Sequence, residues 1–327
     1  MHPRELRQAY QNGTNISALL RTKTPGGLPT EDTIETAYDL QAGGYIRALE
    51  NPPFREHKVR YGKKIAALLA DLSPLGSLLD AGIGEATSLS FVLEAMAAPP
   101  PVVHGFDLAW SRVAHARSWL ATRGLSNVFL SVARLSQVPY RANSFDVVLT
   151  SHALEPNRGQ EETLLRELYR VTSRYLVLLE PGYELAGDKE RARMDEHGYC
   201  RGLVQKAASL GMKVLRHELF GESANQMNPT ALTLIEKNPH AATAVPVLSC
   251  PCFGDDLELQ HDSYYSATSM RAYPIIRGIP CLRTEKAVIA SKFLDEPRDG
   301  PAIPIGASQP ILVHTPTAAH LLSCVKG

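Results

Sequence analysis

From residue 63 onward, short apolar runs alternate with stretches at helical spacing, and this alternation constrains the chain more than any other feature. "KKIAALLADL" (63–72) reads as a helix, "SLLDAG" (77–82) as a buried strand and "ATSLSFVLEAMA" (86–97) as a helix. "VVHGFDL" (102–108), "NVFLSVA" (127–133), "FDVVLTSHA" (145–153) and "YLVLLEP" (175–181) read as further strands. Helices fall between them at 110–124 and 160–172, and a helical region covers 186–210. "MKVLRHELF" (212–220) and "TALTLIEKN" (230–238) read as two final strands. Strands that alternate with helices predict an α/β fold, a mostly parallel seven-stranded sheet covered on both faces. The last two strands have only a short connection, so one of them runs antiparallel.

In such a sheet the ligand sits beyond the carboxyl ends of the strands, where the strand order switches. Asp80, Gly82 and Gly84 lie at the end of the first strand, and Asp107 at the end of the second, 25 residues after Gly82. Glycines admit a close backbone approach, and a second-strand acid can take ribose hydroxyls, so a nucleotide is expected. The dinucleotide fingerprint G-x-G-x-x-G is incomplete, because Thr87 stands in the third glycine position. Asp80 and Glu85 flank the loop and disfavour a pyrophosphate, which needs bare helix-end N–H groups. A ligand with a cationic amino-acid end suits the loop better.

The D-x-G-x-G loop, the acid after the second strand and "VPYRANSFDVVLTSHAL" (138–154) together resemble a class I S-adenosylmethionine (SAM) methyltransferase over about residues 60–240. The resemblance implies a Rossmann-like sheet with SAM as cofactor. Asp80, Gly82 and Gly84 would then line its methionine end, Asp107 its ribose and Leu108 its adenine. Arg134 and Leu135 fall where that family has an acid–hydrophobic pair that reads the adenine, and here Arg134 replaces the acid. Ser151 and His152 would face the sulfonium and the acceptor. "YDLQAGGY" (38–45) is either a surface helix or an N-terminal helical lid that brings Tyr38, Gln41 and Tyr45 over the cofactor or acceptor.

Methyl transfer is a direct displacement helped by positioning, and a hydroxyl acceptor also needs a base within hydrogen-bond reach. His152, Glu155, Glu180 and Asn228 come from three strand ends and are the candidate catalytic residues. Each has a plainer role open to it: core histidine, helix cap or turn former. Two acids with amide groups suit a polar acceptor, a cationic one included, and the expected acceptor is a small polar metabolite or a sugar-like molecule, modified on nitrogen or oxygen. "NPPF" (51–54) precedes the first strand and reads as a loop rather than as an amino-methyltransferase motif.

Beyond residue 240 the composition changes. "LSCPCFGDDLEL" (248–259) and "SATSMRAYPIIRGIPCL" (266–282) resemble the zinc-ribbon-like activator module of tRNA and protein methyltransferases. Cys250 and Cys252 have lost a spacer, and Ser266 and Ser269 stand where the second cysteine pair belongs. A structural zinc takes four Cys or His ligands, so a small β-rich module without metal is expected. The domains are therefore read as 1–60, a helical lid; 61–240, the SAM-binding domain; 241–285, the degenerate ribbon; and 286–327, a tail that packs on the body or on a partner, a second copy included. Thirty-four basic residues balance thirty-four acidic ones, against a dedicated nucleic-acid binder. No apolar run approaches about 20 residues and no signal-peptide pattern opens the chain, so a cytoplasmic enzyme without a membrane partner is expected. An RNA methyltransferase and a non-catalytic SAM-binding scaffold remain the alternatives.

Overall fold

The computed structural model describes residues 3–23, 30–241 and 244–294. Its main sheet holds β1 (Ser77–Ala81), β2 (Val102–Asp107), β3 (Phe129–Val132), β4 (Phe145–Ser151), β5 (Thr172–Pro181), β6 (Lys213–Leu219) and β7 (Thr230–Glu236). They lie in the order β3-β2-β1-β4-β5-β7-β6. β1 pairs in parallel with both β2 and β4, and β7 runs antiparallel between β5 and β6. The chain builds outward from β1 on one side and resumes at β4 on the other, so the switch point falls between these two strands. β1 is buried along its whole length, which explains its unbroken apolar reading up to Asp80.

Helices cover both faces. α5 (Pro52–Asp71), α6 (Thr87–Ala95) and α7 (Trp110–Thr122) share one core with β1 to β3, through Ile65, Leu69, Leu89, Val113 and Leu120. α8 (Glu161–Val171) and α10 (Leu203–Ser209) share the other with β4 and β5, through Leu164, Leu168 and Ala207. α9 (Asp188–His197) lies between β5 and α10. "NPPF" is not a loop but the start of α5. Asn51 accepts the Phe54 N–H at 3.2 Å as N-cap, and Pro52 and Pro53 occupy the first turn, where a missing N–H costs nothing. The helix expected from residue 63 therefore starts eleven residues earlier, and the proposed boundary at 60/61 falls inside it.

Among the described residues, four further helices precede α5: α1 (Pro3–Gln11), α2 (Ile16–Arg21), α3 (Glu31–Leu40) and α4 (Gly44–Ala48). Leu6, Ile16, Leu20 and Ala37 form their small core. α3 and α4 part at Gly43, whose φ of +85° suits a residue without a Cβ.

A second sheet is formed by β8 (Glu258–Gln260), β9 (Ser263–Ser266), β10 (Arg271–Ile276), β11 (Ile279–Pro280) and β12 (Val288–Ile289). It meets the β3 edge of the main sheet, where Val132 bridges to Cys281 and the Leu282 N–H donates to the Val132 carbonyl at 2.8 Å. β12 lies past residue 285, so the sheet takes in the first residues assigned to the tail. Residues 295–327 of that tail lie outside the described residues.

Candidate active site

At the carboxyl ends of β1 and β4 the chain leaves a cavity of about 270 Å³. Gly82 and Gly84 form its floor. Gly82 has φ +83°, and a Cβ there would stand 2.4 Å from the Cβ of Ala153, so the loop can close on β4 only with glycine. Asp107 ends β2 and is buried; one carboxylate oxygen accepts the Gly84 N–H and the other the Ala109 N–H, each at 3.0 Å. The acid thus holds the glycine loop in shape while lining the cavity. Leu108, Ala133 and Leu135 add an apolar wall beside it, and Ser151 lines the β4 end, tied to the Tyr61 hydroxyl at 2.9 Å. Tyr38 and Tyr45 close the cavity from the N-terminal helices.

Asp80 lies buried beneath the loop. Burial and the nearby Asp107 push its carboxyl up to about 7, while Lys58 pulls the other way. Lys58, on α5, lines the cavity and donates to the Ser88 hydroxyl at 2.8 Å. Burial lowers its ammonium to about 8. Nothing in the local sequence distinguishes Lys58 from the other lysines of α5, and its place is set only by the packing of α5 against α6.

Glu85 and Arg134 also fasten other elements to the cavity. Glu85, read as an anion flanking the loop, turns away from it. Its carboxylate accepts the backbone N–H groups of Gly43 and Ile46 at 3.1 and 2.9 Å, at the start of α4. This suits the positive end of a short helix and fastens α4 to the glycine loop. Arg134 lines the cavity, but its guanidinium pairs with Glu31 at 3.1 Å and Glu285 at 2.7 Å. It therefore ties α3 and the second sheet to the end of β3 and supplies no acid for an adenine amino group.

His152, Glu155 and Asn228 meet. The His152 Nδ1 lies 2.6 Å from a Glu155 carboxylate oxygen, and the Asn228 amide donates to the same oxygen at 3.0 Å. The other imidazole nitrogen lies 2.9 Å from the Thr230 hydroxyl. These bonds hold His152 at φ +56°, a conformation that costs a non-glycine residue energy. Burial opposes charge on His152, but the bond to Glu155 and the nearby carboxylates win and raise its pKa. Burial also opposes charge on Glu155, and bonds from His152, Asn228 and Tyr199 outweigh it and lower its pKa. The Asn228 carbonyl oxygen is buried without a partner and lines the cavity. Glu180 does not line it. Its carboxylate lies underneath and accepts the Ala153 and Glu155 N–H groups, each at 3.1 Å, bracing the loop that carries His152. Burial raises this carboxyl to about 7. Glu180 thus braces this loop from outside the cavity lining.

The cavity fits SAM on three counts: a floor that a Cβ would fill, a buried acid lining it at the end of β2, and a buried Asn228 oxygen in want of a donor. Residues 78–174 match the family model described as methyltransferase domain. The chain thus carries a methyltransferase domain, and S-adenosylmethionine is its cofactor. No curated protein matches the sequence. Among solved structures, the chain is similar to magnesium protoporphyrin IX methyltransferase (ChlM) from Synechocystis PCC 6803 with bound SAH, at 15% identity and TM-score 0.49, over 64% of this chain and 100% of that one. It is also similar to the [4+2]-cyclase SpnF, at 18% identity and TM-score 0.49, over 67% and 97% of the two chains. A SAM-dependent methyltransferase from Aquifex aeolicus is similar at 20% identity and TM-score 0.41, over 52% and 87%. Each is a likeness only.

Around Cys250 the ribbon-like segment closes on hydrogen bonds. The Cys250 thiol lies 3.5 Å from the Ser269 hydroxyl and 3.3 Å from that of Tyr273, and Ser269 lies 2.9 Å from Ser266. Cys252 lies 3.2 Å from the Thr284 hydroxyl. Among the described residues no three His, Cys, Asp or Glu side chains group to hold a metal. Nor is any described helix long and apolar enough to cross a membrane.

Proposed function

We propose that the protein transfers the methyl group of SAM to an oxygen or nitrogen of a small-molecule acceptor, with Glu155 as the group that takes the acceptor's proton. Bound SAM supplies an electrophilic methyl on its sulfonium. Gly82, Gly84 and Asp80 hold its methionine end, with Lys58 on the carboxylate; Asp107 takes the ribose hydroxyls, and Leu108 and Leu135 enclose the adenine. Glu155 keeps its charge at neutral pH, and His152 and Asn228 fix its orientation, as a base aimed at one atom requires. Glu180 and Thr230 hold His152 and Glu155 in place from below.

The observation that carries this reading is the position of Glu155. It lines both the cofactor cavity and a second, larger cavity beside it, so it stands where a methyl donor and an acceptor would meet. The zero net charge supports a small-molecule acceptor over RNA. In this reading the ribbon-like sheet is a structural part of the enzyme, not a metal module.

The test uses methyl-tritiated SAM and a fractionated cell extract. Label is expected in the small-molecule fraction, and Glu155→Gln should cut the rate by about 10²–10⁴ while leaving SAM affinity within twofold. A Glu155→Gln protein that transfers label at the wild-type rate would remove Glu155 from the chemistry. Label confined to RNA would replace the acceptor class, and SAM binding without any transfer would favour a scaffold.

A further inference from the structure

The second cavity has a volume of about 650 Å³, ample for a ligand of two or three rings. It opens between the N-terminal helices on one side and α9 with Tyr199 on the other. Its walls include Tyr10, Ile16, Tyr38, Phe54 and Tyr199, an aromatic and apolar surface suited to a flat ring system.

The charge along this cavity is unbalanced. Arg21, Arg193 and His197 line it, and among the described lining residues Glu155 is the one acid. Glu155 is already matched by His152, whose pKa its bond raises. Arg21 is engaged, since it donates to the His197 carbonyl. Arg193 is different. Its guanidinium lies 5.9 Å from the Tyr199 ring, and its Nη1 is buried with no hydrogen-bond partner. The Arg193 side chain is otherwise met only by the neutral Tyr199 hydroxyl; a buried cationic N–H without an acceptor is costly, and an anionic ligand would relieve that cost.

We propose that this cavity takes a planar aromatic anion, with its acidic group on Arg193, its rings among Tyr10, Tyr38, Phe54 and Tyr199, and its far end at Glu155. This deepens the functional reading above and rests on it. It replaces the cationic acceptor expected from the two acids: Glu155 is paired with His152, and Glu180 is buried beneath the loop.

The test uses two dyes of the same ring skeleton, 8-anilinonaphthalene-1-sulfonate and the uncharged N-phenyl-1-naphthylamine, titrated by fluorescence onto the full chain saturated with SAH. Arg193→Gln should weaken the sulfonate dye about tenfold to a hundredfold, as expected for the loss of a charge-assisted hydrogen bond, and the neutral dye by less than twofold. Ala48→Phe, which fills the cavity wall, should weaken both dyes. Equal effects of Arg193→Gln on the two dyes would overturn the proposal, and so would dye binding indifferent to Ala48→Phe. Should Arg193→Gln fail to fold, Arg193→Lys decides instead: it keeps the charge but not the planar fork, so a few-fold loss of the sulfonate dye alone is expected, and an equal change in both dyes overturns the proposal. SAH saturation is measured separately by calorimetry. Absent SAH binding would strike the methyltransferase reading, whereas absent discrimination by Arg193 would strike only the anion.

Discussion

Asp80 and Asp107 at the ends of β1 and β2, with Lys58 on α5, set how the site meets a cation. Asp80 is pushed to about 7 by burial and by Asp107, and Lys58 is lowered to about 8. A buried carboxyl with a raised pKa contributes stability that is fully present below its unfolded value and is lost as pH rises through about 7. Ligand-free protein therefore keeps the Asp80 proton at pH 6 and has largely lost it by pH 8. SAM carries an ammonium and a sulfonium, which favour the carboxylate. Its affinity should accordingly rise between pH 6 and 7.5, by up to about tenfold for one proton over this range. It should fall again above pH 8, as Lys58 gives up the charge that holds the ligand's carboxylate. Calorimetry in two buffers of different ionisation enthalpy reads the released proton directly. Asp80→Asn should abolish both the proton release and the rising limb. A flat pH profile in the wild-type protein would remove Asp80 from the cofactor site.

At the scale of elements, the N-terminal helices are held over the site by charges that come from far away in sequence. Arg283, fully buried, pairs with Glu35 of α3 at 2.7 Å and with Glu285, and it donates to the Leu108 carbonyl at 3.4 Å. Arg134 joins Glu31 of α3 to the same Glu285. The second sheet thus clasps α3 against the Leu108 side of the cavity. Arg283→Gln should lower stability by about 1–3 kcal/mol, less than a fully sealed pair because Glu35 and Glu285 are partly exposed. Hydrogen exchange should quicken in α3 and stay unchanged in β1 and β4; unchanged exchange in α3 would contradict the clasp. None of this was legible in the sequence. The strands, the glycine loop and Asp107 were, because period, turn chemistry and strand-end position are local properties. Arg134 was read from its place beside Leu135, where a related chain has an acid, and only the folded chain brings Glu31 and Glu285 to it. The start of α5 was missed because Pro52 and Pro53 were read as a break, although Asn51 before them is an N-cap residue.

For the molecule as a whole, two cavities share the walls Ile34, Tyr38, Tyr45, Phe54, Glu155 and Pro156. One lies over the switch point of the main sheet, and the other lies under the N-terminal helices. The parallel sheet supplies the first, as its topology dictates, and the added helices supply the second. The central claim is that the first cavity holds SAM through Gly82, Gly84 and Asp107. Its most direct test is calorimetric titration of the full chain with S-adenosylhomocysteine. One site of micromolar affinity is expected, about −8 kcal/mol, and Asp107→Ala should weaken it by about 1.5–3 kcal/mol as a charged hydrogen-bond acceptor is lost. The absence of heat and of any thermal shift in the wild-type protein, or an Asp107→Ala protein that binds as tightly, would contradict it.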